Sequence, residues 1–111
     1  MSIRESFLAG PKPKVERVEI EDFGPLHVRA MSAGELGRFE AWMADKPALE
    51  DFLARFAVAG VCDENGKLAF GLADLDKLKE LDVVFLQRVQ EAVARVNRLT
   101  KDEVEALEKK A

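Results

Sequence analysis

A chain of 111 residues with 48% apolar side chains is sized for one domain with a real core, and it is too apolar to be a disordered chain. Its 17 basic and 21 acidic residues leave a net charge of -4, which disfavours a general binder of nucleic-acid phosphates. No apolar run approaches the ~20 residues of a membrane span.

Residues 1–14 are expected to form a flexible or extended N-terminal arm, because Gly10-Pro11-Lys12-Pro13 breaks any helix and favours extended backbone. The start carries no apolar signal-peptide segment. Phe7 and Leu8 are the arm's candidate anchors on a partner. Residues 15–111 are expected to form a single, mainly helical domain with an N-terminal hairpin. In its first strand pair, Val15–Ile20 precedes a run in which Leu26, Val28 and Ala30 alternate with His27 and Arg29. Gly24-Pro25 marks the turn between them.

Ser32-Ala33-Gly34-Glu35 has the spacing of a capping box and predicts a helix over 33–44. Leu36, Phe39 and Met43 share one face of it, with Trp42 beside them, while Gly34 and Gly37 weaken it. Pro47 suits a first turn, so a second helix is predicted, with Leu49, Phe52, Leu53 and Phe56 as its stripe. That stripe runs into an all-apolar end at 57–61. Asn65-Gly66 tolerates positive φ and predicts a tight reversal, followed by a short extended piece at Leu68 and Phe70.

Asp74 or a neighbour is expected to open a short helix bearing Leu75, Leu78 and Leu81. The positions Leu81, Phe85, Val89, Ala92, Val93, Val96 and Leu99 keep a helical period, predicting the longest helix over about 82–98. Thr100-Lys101-Asp102-Glu103 is a second capping box. It starts a terminal helix through 110 with Val104 and Leu107 on one face. The fold expected is α+β, mainly α: an N-terminal β-hairpin packed on a small bundle of four or five helices, with roughly half the residues helical.

The chemistry-bearing residues do not assemble into a catalytic or metal-binding set. His27, the one histidine, falls on the polar phase of a strand, with no nucleophile signature near it. Cys62 has no partner cysteine, fits a reducing compartment and reads as a small buried thiol. Asp63-Glu64-Asn65-Gly66-Lys67 fails the register of a calcium loop, with Lys67 where an oxygen ligand belongs. Asp74, Asp76, Glu80 and Asp82 sit near helix starts, where carboxylates favour the dipole. Arg88, Arg95 and Arg98 are interleaved with Glu91, which gives a mixed solvated face. No enzyme activity and no cofactor are expected. The candidate partner-binding residues are Phe7, Leu8, Trp42, Met43, Val83 and Leu86, the last two because they lie off the main stripe of the long helix.

The order of elements resembles that of the tail assembly chaperones of long-tailed, non-contractile bacteriophages. The likeness covers residues 15 to 110. It rests on the strand pair with Phe23-Gly24 between its halves, and on Arg29-Ala30-Met31-Ser32-Ala33-Gly34-Glu35 leading into an aromatic-bearing helix. The turn Cys62-Asp63-Glu64-Asn65-Gly66-Lys67 and the aspartate–leucine helix Leu72-Ala73-Asp74-Leu75-Asp76-Lys77-Leu78 continue it. A long helix and the charged ending Glu105-Ala106-Leu107-Glu108-Lys109-Lys110 complete it. The resemblance implies a non-enzymatic, self-associating assembly factor. Such a factor binds the tape measure protein, keeps it soluble and recruits tail tube subunits. It would work in the host cytoplasm, be absent from the finished virion and bind no nucleic acid or membrane. Many members of the family also have a longer form made by ribosomal frameshifting. The alternative expectation is another small phage head–tail protein or bacterial adaptor that binds proteins without catalysis.

Overall fold

Residues 2–108 are described by a computed structural model, so the predicted end of the last helix at 109–110 lies outside the described residues. The architecture is α+β and 54% helical, which agrees with the half-helical expectation. The first element corrects the picture of an extended arm. Ile3–Leu8 is a short helix, α1. Ser2 caps it, its hydroxyl accepting from the Glu5 amide at 3.1 Å and donating to the Glu5 carboxylate at 3.1 Å. The prolines act only beyond Gly10, where residues 11–14 carry no regular structure.

The hairpin consists of β1 (Val15–Ile20) and β2 (Gly24–Arg29), antiparallel and in a register that pairs Val15 with Arg29 and Ile20 with Gly24. Its loop has three residues, because Gly24 and Pro25, expected in the turn, already pair with Ile20 and Glu19 at the start of β2. Asp22 at φ 69° and Gly24 at φ 112° turn the chain in that space, and glycine adopts such angles at little cost. The capping box at Ser32 forms with both hydrogen bonds and opens α2 (Ala33–Met43). α3 (Leu49–Gly60) follows, with Pro47 buried just ahead of it.

Four of the five residues of the apolar end at 57–61 lie in α3 as expected, and the last, Val61, leaves the helix. Instead of prolonging the helix, Val61–Cys62 switches to a strand, β3, which pairs antiparallel with β2 through Val28–Val61 and His27–Cys62. The sheet thus has three strands in the order β1-β2-β3. β3 covers the free edge of β2, and His27 is half-buried opposite Cys62 instead of facing solvent. The Asn65-Gly66 reversal forms as predicted. The Asp63 carboxylate accepts the amides of Asn65 (2.8 Å) and Lys67 (3.0 Å), and Gly66 sits at φ 86°.

A 3-10 turn at Leu72–Asp74 leads into α4 (Leu75–Leu78), then α5 (Val83–Val96), then α6 (Lys101–Glu108). Asp82 caps α5 through the Phe85 amide at 3.0 Å. Past Asn97, Arg98 takes φ 58°, and the amides of Arg98 and Leu99 return to the carbonyls of Arg95 and Ala94. That is the hydrogen-bond pattern of a Schellman ending. The second capping box forms between Thr100 and Glu103.

α3 and α5 make the most extensive helix–helix contact, and the sheet lies against α5. Their shared core is anchored by Val28, Met43, Phe52, Phe56 and Val93, all without exposed surface or nearly so. Aromatic rings knit α2 to α3: Phe39 meets Phe56 edge-on at 5.0 Å, and Phe56 meets Phe52 at 5.1 Å. Among the described residues no helix is long and apolar enough to cross a membrane.

Candidate functional site

An apolar groove of about 430 Å³ lies between α2, the end of α3 and the chain around Leu68 and Leu72. Met31, Trp42, Val58, Leu68 and Leu72 supply apolar walls, and Glu35 and Arg38 stand at the polar rim. A volume of this order, lined mostly by apolar and aromatic groups, is typical of recognition sites.

Each wall is held from behind. Arg55 on α3 donates to the Trp42 carbonyl at 2.9 Å and forms a two-pronged pair with Asp45 at 2.8 and 3.1 Å. The same guanidinium lies 4.9 Å from the centre of the Trp42 ring, and Phe39 meets that ring edge-on. Trp42 is therefore half-buried and fixed, with part of its ring left for a ligand. On the opposite side, the Met31 amide donates to the Asn97 side-chain oxygen at 2.6 Å, and the Asn97 amide group donates to the Val93 carbonyl at 2.9 Å. The end of α5 thereby sets the position of a groove wall.

Arg29 organises the polar rim. One guanidinium nitrogen donates to the Gly66 carbonyl at 3.1 Å and the other to the Glu35 carboxylate. The hairpin, the 63–67 turn and the start of α2 converge on this side chain. The Ser32 backbone amide donating to Glu35 holds its carboxyl below the ordinary 4.5, against the opposing effect of burial, and the nearby Arg29 charge lowers it further. A carboxyl depressed in the folded state contributes stability above the unfolded value and loses it as pH falls through the folded one. Glu35→Gln is accordingly expected to cost about 1 kcal/mol near neutral pH. Paired thermal melts should find the gap between the two proteins constant above 4.5 and closing below it. A gap that stays constant down to about pH 3 would refute the pairing.

A second apolar surface surrounds the first turn of α5. Phe23, Leu81, Val83 and Val84 are each about half exposed there. Phe23 stacks on Phe85 at 5.3 Å, and Arg88 on α5 pairs with Glu21 of the hairpin loop at 2.8 Å, so the loop is fastened to the helix. The third surface is α1, whose Ile3, Phe7 and Leu8 are among the most exposed apolar side chains.

Of the six candidate partner-binding residues, Phe7 and Leu8 lie on α1, Trp42 lines the groove and Val83 opens α5. Two are corrected. Met43 has no exposed surface, because it follows Phe39 by one turn on the face of α2 that meets the core. Leu86 is 3% exposed, because the inner stripe of α5 runs through Leu86, Val89, Val93 and Val96, displaced from the predicted one so that Phe85 is only half-buried. Neither reaches a partner in this fold.

Sequence reasoning missed Ile3, Phe23, Met31, Val58, Leu72, Leu81 and Val84. A signal existed for Ile3, since Ser2 and Glu5 have capping-box spacing and Ile3 and Phe7 are one turn apart. None existed for the groove walls, which come together from four separate stretches. Among the described residues no group of three or more histidine, cysteine, aspartate or glutamate side chains is placed to hold a metal ion. Cys62 is buried, and burial pushes its thiol up from 9.0, so the reactive thiolate is disfavoured. Comparison with protein-family models, curated proteins and solved structures gives no match.

Proposed function

We propose that this protein is a non-catalytic assembly factor of the tail-chaperone kind that its sequence resembles. On this reading it holds a long, amphipathic tape measure protein in the host cytoplasm, brings tail tube subunits to it and leaves before the virion is finished. The observation that carries the reading is exposed apolar surface around the start of α5: Phe23 and Leu81 line one hollow beside Phe85, and Val83 and Val84 are half exposed on the first turn of the helix. Several exposed large apolar side chains gathered in one region of a small domain favour contact with another protein.

One such patch is small against a chain of many amphipathic repeats. Self-association multiplies it, and linked sites can exceed a single contact by ~10²–10⁴ in affinity without any new contact. The reading therefore includes a homo-oligomer.

Co-expression with a tape measure segment tests it. The wild-type chain is expected to keep the segment soluble and to co-purify with it. Val84→Asp, on an exposed position, is expected to fold normally and lose at least tenfold in affinity. Failure of the wild-type chain to retain any tape measure segment, or full retention by Val84→Asp, would overturn the assignment.

A further inference from the structure

The helix α1 and the groove are two apolar surfaces of one chain, and among the described residues neither covers the other. A helix of six residues is far too short to persist in water on its own strength, since nucleation costs more than so few hydrogen bonds return. Yet α1 is built as a helix with a side-chain cap at its start, and it directs Ile3 (82% exposed) and Phe7 (80% exposed) into solvent from the same face. A capped, one-sided, apolar helix of this length gains its stability by lying in a groove.

We propose that α1 of one copy seats in the Trp42–Leu72 groove of a second copy, and that the two copies exchange arms reciprocally. This rests on the assembly-factor reading and gives its self-association a structural basis. Three observations choose the second copy as occupant. The first is the linker. Lys14 is tied beside the groove, its carbonyl accepting from the Ala30 amide at 2.8 Å next to Met31. Between Lys14 and α1, Pro11 and Pro13 fix two backbone φ angles in a spacer without regular structure. No α1 residue lines the groove of its own chain, and Ile3, Phe7 and Leu8 remain exposed.

The second observation is charge. The arm and linker hold Arg4, Lys12 and Lys14 against a single acid, Glu5, whereas residues 15–111 hold 14 basic and 20 acidic side chains. A basic arm is attracted to the acidic body as a whole, whereas at the groove rim Glu35 already pairs with Arg29 and stands beside Arg38. The third is area. One short helix buries less than the ~1,200–2,000 Å² of a stable interface, and reciprocal exchange doubles the contact without any further surface.

Sedimentation equilibrium on the purified full chain, without any client, is the test. The wild-type protein is expected to dimerise, and Phe7→Asp and Leu72→Asp are each expected to weaken dimerisation at least tenfold. Both positions are largely exposed, so both variants should melt at the wild-type temperature. A cysteine pair, Leu8→Cys with Leu72→Cys on a Cys62→Ser background, should oxidise to a covalent dimer. A wild-type chain that stays monomeric at about millimolar concentration, a variant that dimerises as well as wild type, or a link formed only within one chain would overturn the proposal. A monomer that still retains a tape measure segment would defeat arm exchange alone. A dimer that retains none would defeat the client reading and leave the exchange standing.

Discussion

Phe56→Ala is expected to lower stability by about 3–5 kcal/mol, the usual cost of emptying a buried phenylalanine site. Phe56 has no exposed surface and stands between Phe39 of α2 and Phe52 of its own helix. Its ring is the piece through which α2 is registered on α3, so neighbouring groups have little freedom to collapse into the space. Domains of this size hold about 5–15 kcal/mol in all, and the loss should lower the melting temperature by about 15–25 °C. Thermal denaturation followed by far-ultraviolet circular dichroism checks it. A drop of under about 5 °C would mean that α2 is not held by this aromatic cluster.

The second large effect comes from adding a single methyl group. Gly60 is the last residue of α3, and a Cβ there would stand 2.7 and 2.8 Å from the two γ-carbons of Val93 on α5. Those carbons belong to a branched side chain with no exposed surface and little rotamer freedom. Glycine to alanine in a helix ordinarily gains about 0.5–1 kcal/mol. Here overpacking reverses the sign, and Gly60→Ala is expected to cost about 1–3 kcal/mol. Val93→Ala removes the obstructing carbons. The double variant should therefore be more stable than the sum of the two single losses by at least ~1 kcal/mol, measured from urea midpoints. Simple additivity would mean that α3 and α5 do not approach each other at this point.

The elements with a complete local signature were legible in the sequence. Ser32 with Glu35, Thr100 with Glu103, and Asn65-Gly66 each carry their own geometry, and each appears where it was predicted. The two element-level differences have separate causes. Val61–Cys62 looks like a helix end because apolar residues suit either state, and only pairing with β2, more than thirty residues away, decides for a strand. In the arm, Pro11 and Pro13 disfavour helix only at their own positions and just before them, and α1 lies wholly ahead of them.

The candidate site was less legible than the fold. Trp42 could be flagged as a large side chain at the end of a weakened helix. Met43, its neighbour, points inward by one helical step. Leu86 illustrates how a small displacement of the stripe on a 14-residue helix moves a residue from surface to core. Leu72 gives no local hint at all, because its exposure depends on where a 3-10 turn places it against α2 and α3.

The chain has one tryptophan and no tyrosine. Ultraviolet emission excited at the indole band therefore comes from the wall of the groove alone, from a ring with a guanidinium 4.9 Å from its centre. Whatever settles against that ring should alter the colour and yield of the light it returns. The molecule thus carries its own optical gauge of occupancy, readable in a cuvette without any attached dye.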